Sequence, residues 1–179
     1  MSGAGHYSNE RWTFGMRVIP DAVPRARLRT TITYRVHPRL TTGVEVNPLA
    51  EEARGTVSPL VNWLAITETK NRPALIVGTS SDRIGTPYGQ SFYATLSKNL
   101  KSETRLPIAP YAGIAYSTYE HRWLALAGLN VHFTSNISST VIFDGVRVHT
   151  LVNYSRGRHD FAFVLAYCNK PGFSYSISF

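Results

Sequence analysis

The segment Gly172-Phe173-Ser174-Tyr175-Ser176-Ile177-Ser178-Phe179 decides the fold of this chain. Large apolar side chains alternate strictly with small ones along it, and the chain stops on an aromatic residue. Successive side chains of an extended chain point to opposite faces, so the pattern predicts a β-strand with one apolar face and one serine face. Such a strand needs a neighbour, because an uncovered edge is an aggregation hazard.

The same two-residue period recurs almost to the N-terminus, and no segment shows a convincing helical period. Asp144-Gly145 has the composition of a hairpin turn that accepts positive φ. About twelve strand-like segments, with ten also possible, are joined mostly by short links, which favours antiparallel neighbours over parallel pairs. We therefore predict an all-β fold: an antiparallel meander closed into a single β-barrel of about twelve strands, with two stacked sheets as the other way to protect the edges.

Length and composition indicate one folded domain, residues 1–179, whose first ten residues (1–10) form a flexible N-terminal arm. Charged residues make up 17% of the chain and aromatic residues 12%, which argues against disorder. The single cysteine, Cys168, excludes an intramolecular disulfide and a cysteine-based zinc cluster. It is the last residue of the apolar run from Phe161 to Cys168, and we expect it to pack as a small hydrophobic residue.

The chain is basic, with 19 Lys and Arg against 11 Asp and Glu. Such an excess often indicates nucleic acid or an anionic surface as a partner. Here the basic residues are dispersed, and the arginines and aromatic residues fall on opposite faces of the predicted strands. A surface that both stacks on bases and contacts phosphates is therefore not formed, and we predict no nucleic-acid partner.

The two strand faces differ in a way that favours a membrane barrel. The second face is composed of Arg, Thr, Ser, Gly, Asn and His, with few Lys or Glu, which suits a crowded, wet interior better than an open surface. The apolar face carries aromatic residues near strand ends, including Trp12, Tyr34, Trp123 and Phe179, where interfacial aromatic girdles are found. The alternative is a soluble, calycin-like β-barrel that encloses an apolar ligand.

The C-terminus resembles that of bacterial outer-membrane β-barrels, which end in an aromatic residue and carry a spaced signal in the last strand. The residues that fit this assembly signal are Lys170, Gly172, Tyr175, Ile177 and Phe179. The spaced pattern ends at Ile177, two residues before the terminus, which is a departure from the family. The resemblance implies a small, porin-like barrel with short loops, contact with membrane lipid and recognition by the outer-membrane assembly machinery.

The location implied by the resemblance is the bacterial outer membrane. A second departure is that Met1 to Ser8 has neither the basic start nor the apolar core of an export signal. The sequence leaves open whether the chain forms a homo-oligomer or binds a protein partner.

If the apolar face meets lipid, the polar face lines the lumen. The predicted lumen-lining, anion-binding residues are Arg17, Arg27, Arg29, Arg35, Glu45, His132, Arg147 and His149. A basic wall of this kind favours small anionic solutes. The alternative is a filled lumen in which the arginines pair with Glu45, Asp144 or carbonyl groups. The predicted function is thus a small passive pore with an anion preference, or a structural membrane component.

No arrangement typical of an enzyme is found in the sequence. His149 and Ser155 share a face of one predicted strand, but about 20 Å separates them, too far for a nucleophile and its base. The six histidines are scattered singly, without metal-ligand spacing. We predict no catalytic residues, no metal site and no cofactor.

Overall fold

The computed structural model describes residues 10–179, apart from the side chain of Glu103. These residues form twelve antiparallel strands, each paired with its neighbours in the sequence. β1 also pairs with β12, from Thr13 opposite Ser178 to Val18 opposite Phe173, and so closes the sheet. The strands are β1 (Trp12–Val18), β2 (Leu28–His37), β3 (Leu40–Val46), β4 (Val57–Ile66), β5 (Ala74–Ser81), β6 (Gln90–Ser97), β7 (Ile108–Ser117), β8 (Arg122–His132), β9 (Ile137–Phe143), β10 (Val148–Arg156), β11 (His159–Ala166) and β12 (Lys170–Ser178). The predicted all-β fold, a closed antiparallel barrel of twelve strands, is confirmed.

Three single-turn helices lie in the connections: α1 (Pro24–Arg27), α2 (Ala53–Thr56) and α3 (Lys101–Thr104). The alternating pattern of the sequence predicts a second strand from Arg25 to Val36, and its start is wrong, because α1 occupies that segment and β2 begins at Leu28. Proline is favoured at the first position of a helix, where its fixed φ suits the turn and its missing N–H has no partner to lose. No helix in the described part of the chain is long and apolar enough to span a membrane.

The predicted N-terminal arm, residues 1–10, lies outside the described residues except for Glu10. The Glu10 carboxylate lies 2.5 Å from Arg158 Nε, beside the turn between β10 and β11.

Apolar side chains form the outer wall of the barrel, and most polar side chains on the strands point inward. The side chains of Trp63, Trp123 and Phe173 are 51%, 66% and 49% exposed. The inward carboxylate of Glu45, by contrast, is fully buried. Because the strand period is two and neighbouring strands are in register, apolar side chains on adjacent strands lie side by side on the outer face. Ile32 of β2, for example, lies between Phe14 of β1 and Val44 of β3.

The barrel has two unlike ends. The terminal rim holds Trp12 and Phe179, whose backbones exchange two hydrogen bonds of 2.9 Å, together with the connections 38–39, 67–73, 98–107, 133–136 and 157–158. The loop rim holds the connections 19–27, 47–56, 82–89, 118–121, 144–147 and 167–169. The first three of these loops are the longer ones, and they fold over the barrel end.

The buried apolar cluster lies at the loop rim and not along the barrel axis. Its members are Ile19, Ala22, Ala26, Val164 and Ala166. Loop 19–27 therefore packs α1 against the inner face of β11. The prediction that Cys168 packs as a buried hydrophobic residue is wrong, because it lies exposed in the turn 167–169 with a φ of 58°.

Candidate functional site: a polar lumen closed at one rim

Arg25 joins two loops across the loop rim. Its side chain is only 2% exposed. Nε donates to the Thr86 carbonyl at 2.8 Å, and Nη2 donates to the carbonyls of Asp82 and Arg83 at 3.0 and 2.6 Å. Planar guanidinium groups present several donors in a fixed fork, which suits this convergence of carbonyls. Arg25 thereby ties α1 in loop 19–27 to loop 82–89.

Glu45 supplies the opposite charge below this contact. Its carboxylate lies 2.6 Å from Arg29 Nη2 and 3.7 Å from Arg25 Nη1. Asn47 Nδ2 donates to Glu45 Oε1 at 3.0 Å and to the Gly55 carbonyl at 3.1 Å, which attaches loop 47–56. Burial lowers the pKa of Arg25 below its ordinary value, and the Glu45 charge opposes that shift. We name the group of Arg25, Arg29, Glu45 and Asn47 the rim clasp.

A second ionic group stabilises the neighbouring loops. Glu120 of loop 118–121 pairs with Arg83, and its other oxygen lies 2.8 Å from Arg122 Nη2. Burial raises the pKa of the Glu120 carboxyl, but the hydrogen bonds from the two arginines outweigh it and hold that pKa below its usual range. Ser117 donates to Asp82 beneath this loop, so loop 82–89 is held from two sides.

His149 is part of a third contact and is not open to the lumen. The ring is 3% exposed, and its Nε2 lies 2.9 Å from Asp144 Oδ2. Its Nδ1 accepts a hydrogen bond from the Tyr167 backbone at 3.3 Å. Burial raises the pKa of Asp144, but the hydrogen bonds from His149 and from the backbone of Arg147 and Val146 hold it below its usual range. With both nitrogens engaged, the imidazole is a structural link between two turns.

The other end of the barrel contains a polar cavity of about 440 Å³. It extends inward from the terminal rim along β8 to β12 and β1, and its lining stops short of the rim clasp. The residues that line it are Glu10, Thr13, Arg35, Asn130, His132, Ser135, Asn136, Ile137, Ser138, Thr140, Ile142, Leu151, Asn153, Ser155, Gly157, Arg158, Asp160, Phe161, Ala162, Ser174, Ser176 and Ser178. Hydroxyl and amide groups dominate this wall.

The predicted lumen residues are divided between these regions. Arg29 and Glu45 meet in the rim clasp, and the buried Nε of Arg17 lies on the same side of the barrel. Arg35 and His132 line the cavity at the terminal rim.

Two of the predicted residues do not lie on strands. Arg27 belongs to α1, is exposed and donates from Nε to the Ala22 carbonyl at 3.0 Å. Arg147 is exposed in the turn 144–147, where its backbone N–H donates to Asp144.

The residues of the predicted assembly signal lie in and directly after β12. Tyr175 is on the outer face, and its hydroxyl lies 2.8 Å from His159 Nδ1. Gly172 faces inward, where a Cβ would come within 2.5 Å of the Val18 carbonyl oxygen, so the close approach of β1 requires glycine. Lys170 donates to the Asp21 carbonyl at 2.6 Å, and Phe179 is exposed at the terminal rim.

Sequence reasoning missed Arg25 and the loop residues that receive it. The available signal was Pro24, which marks a helical turn and places Arg25 outside the strand pattern. It also missed Asn130, Thr140 and Asn153, which lie at inward positions on three adjacent strands. Amides at inward positions of consecutive predicted strands are the sign that could have identified them.

The chain matches no protein-family model, and a search of the curated proteins finds no match to it. Within residues 10–179, no group of three or more His, Cys, Asp and Glu side chains is placed to hold a metal ion.

Proposed function

We propose that this chain is a membrane-embedded β-barrel of the outer-membrane type, held closed at its loop rim, and that it serves as a structural membrane component. The observation that supports this proposal best is the outer wall, where apolar side chains are exposed on every side of the barrel. In register around the sheet, Val77 lies beside Ala94, Ala94 beside Ile114 and Ile114 beside Ala125. Contiguous apolar surface of this extent marks a membrane or protein contact.

Charges are placed as a lipid-facing wall requires. Among the outward-facing positions of the described strands, one residue is charged: Arg156, the last residue of β10. A charged residue at the bilayer midplane of a barrel costs about 2–4 kcal/mol, and much less near the interface. The arginines of the lumen lie on the opposite face, where Glu45 compensates them.

Aromatic side chains mark both ends of the outer wall. At the terminal rim, Trp12 packs against Tyr34 with ring centroids 4.8 Å apart. Near the loop rim, Tyr116 packs edge-on against Trp123 at 5.4 Å. Aromatic rings at both interfaces are typical of transmembrane barrels, because the ring's apolar body and polar tip suit the headgroup region.

The soluble, calycin-like alternative requires the reverse arrangement, with apolar side chains around an enclosed ligand. The cavity at the terminal rim is instead lined mainly by hydroxyl and amide groups, while Trp63 and Phe163 lie on the outside. This distribution favours lipid on the outer face over an apolar ligand in the lumen.

The test uses the three tryptophans, all of which lie exposed on the outer wall. The protein is refolded into vesicles whose acyl chains carry bromine, a short-range quencher, with unbrominated vesicles as the matched control. We expect strong quenching by bromolipid and weak quenching by aqueous iodide, together with different gel mobilities for boiled and unboiled samples. Quenching by iodide alone, from a monomer that is soluble without detergent, would show that the outer wall meets water.

An anion-favouring pore is the second candidate, because Arg17, Arg25 and Arg29 outnumber the Glu45 and Asp82 carboxylates near the clasp. Planar-bilayer recording separates it from a closed barrel. We expect no sustained conductance from the wild-type protein. A steady anion-selective conductance that falls in Arg29→Gln or Arg35→Gln would establish the pore instead.

A further inference from the structure

Among residues 10–179, the charged groups that line the cavity at the terminal rim lie near its mouth. Arg158 and Glu10 pair there at 2.5 Å, and Arg35 of β2 and Asp160 of β11 also line the cavity, so the formal charges of these four groups cancel. The deeper part of the described lining, which includes Thr140, Asn153 and Ser174, carries hydroxyl, amide and apolar groups and no charge. Neutral walls do not compensate the desolvation of a fully charged ligand.

Three side chains on adjacent strands form the polar centre of this wall. Asn130 Nδ2 donates to Thr140 Oγ1 at 2.8 Å, and Asn153 Nδ2 approaches the same oxygen at 3.4 Å and Ser138 Oγ at 3.5 Å. Because Thr140 Oγ1 receives these amide protons, its own proton is left to donate. We name Asn130, Thr140 and Asn153 the amide triad.

The triad also offers an acceptor. The Oδ1 atom of Asn130 is buried and has no hydrogen-bond partner within residues 10–179. A buried acceptor without a partner is costly, and a small movement of the Asn130 amide that brings a ligand donor into reach recovers that cost. The wall therefore presents both donor and acceptor capacity at one place, which is the pattern that hydroxyl groups match, since each hydroxyl donates and accepts.

Apolar groups lie directly beside the triad. Leu151 of β10 is opposite Thr140, and Ile142 of β9 is opposite His149, with both apolar side chains in the cavity lining. A surface that combines small apolar patches with convergent hydrogen-bonding groups is typical of a binding site. It suits a ligand whose ring carries C–H groups on its faces and hydroxyl groups on its edge.

From this geometry we infer that the cavity binds an uncharged polyhydroxylated ligand of saccharide type, with the amide triad as its hydrogen-bonding centre. The cavity volume of about 440 Å³ lies within the range of small-molecule sites. This inference depends on the barrel fold and the lumen residues, and it holds whether the outer wall meets lipid or water.

The test measures binding of maltose to the purified full chain by isothermal titration, with inorganic phosphate as the anionic comparison. An alkylphosphocholine detergent is used, because a maltoside detergent would itself present the probe. We expect saturable maltose binding in the millimolar range, no effect of phosphate, and a loss of affinity of about tenfold in Asn130→Leu or Asn153→Leu, the effect of losing one or two neutral hydrogen bonds.

The matched control is Asn62→Leu, which makes the same change on β4, where the amide oxygen accepts from Tyr93 outside the cavity. It should leave maltose affinity unchanged. Ser176→Ala, which removes one wall hydroxyl with little effect on packing, provides a milder second variant and should weaken binding severalfold.

Three outcomes would overturn the inference: no saturable binding of maltose to the folded wild-type protein, equal affinities in wild type and both cavity variants, or binding of phosphate in place of maltose. None of them bears on lipid contact, which the tryptophan quenching decides separately.

Discussion

Replacing Arg25 with methionine tests whether the rim clasp holds the loop end together. Methionine keeps most of the aliphatic volume, so the change removes the charge and its hydrogen bonds with a small packing effect. The three carbonyls of Asp82, Arg83 and Thr86 lose their donor, and Glu45 loses one of its two arginine partners. Breaking a buried ion pair of this kind costs about 3–5 kcal/mol.

Arg27→Met is the matched control, because Arg27 lies in the same helix and is exposed, and its side chain donates to the Ala22 carbonyl. Loss of one exposed contact costs under about 1 kcal/mol. Both variants are compared with wild type by reversible urea unfolding in the same detergent or lipid, followed by tryptophan fluorescence. The two free energies of unfolding should therefore differ by several kcal/mol.

The reasoning is refuted if the two variants are equally stable, or if Arg25→Met lowers the free energy of unfolding by less than about 1 kcal/mol. A folded Arg25→Met protein also allows a second measurement. If the clasp closes the lumen, its bilayer conductance should exceed that of wild type and of Arg27→Met.

Three further predictions concern other parts of the barrel. The folded-state pKa of Asp144 lies below its ordinary value, so its bond to His149 stabilises the protein above about pH 4 and is lost as pH falls through the folded pKa. Asp144→Asn should therefore lower the urea midpoint at neutral pH and leave the midpoint little changed in acid. Gly128→Ala places a Cβ against the ring of Tyr111 on the neighbouring strand. The free energy of unfolding in urea should therefore fall by about 1–3 kcal/mol. An unchanged midpoint would mean that the ring moves freely. Cys168 is exposed at the loop rim and should react with a hydrophilic maleimide in the native protein, as mass spectrometry would show; protection until denaturation would contradict its placement.

The strands and their faces were predictable because strand periodicity is local. Each residue alternates with the next, so the pattern in β12 identifies Phe173 as outward and Ser174 as inward without knowledge of its partners. Turns were predictable for the same reason: Gly145 has a φ of 91°, and Asp144 Oδ1 accepts from the backbone of Val146 and Arg147.

The contacts between polar side chains inside the barrel could not be predicted from strand periodicity. Arg27 and Arg29 continue one alternating pattern in the sequence, but Pro24 begins a helical turn that takes Arg27 off the barrel wall. The partners of Arg25 lie 57 to 61 residues along the chain, and no local period connects them.

The sequence by itself therefore determined an antiparallel fold of about twelve strands, their apolar and polar faces and most of the turns between them, because these depend on neighbours one to three residues away. Only the tertiary structure decided which polar groups meet. Barrel closure and strand register bring Asn130 opposite Thr140 and fold Arg25 over Glu45. These contacts arise from the positions of separate strands and loops in space, and alternation along one strand contains no information about them.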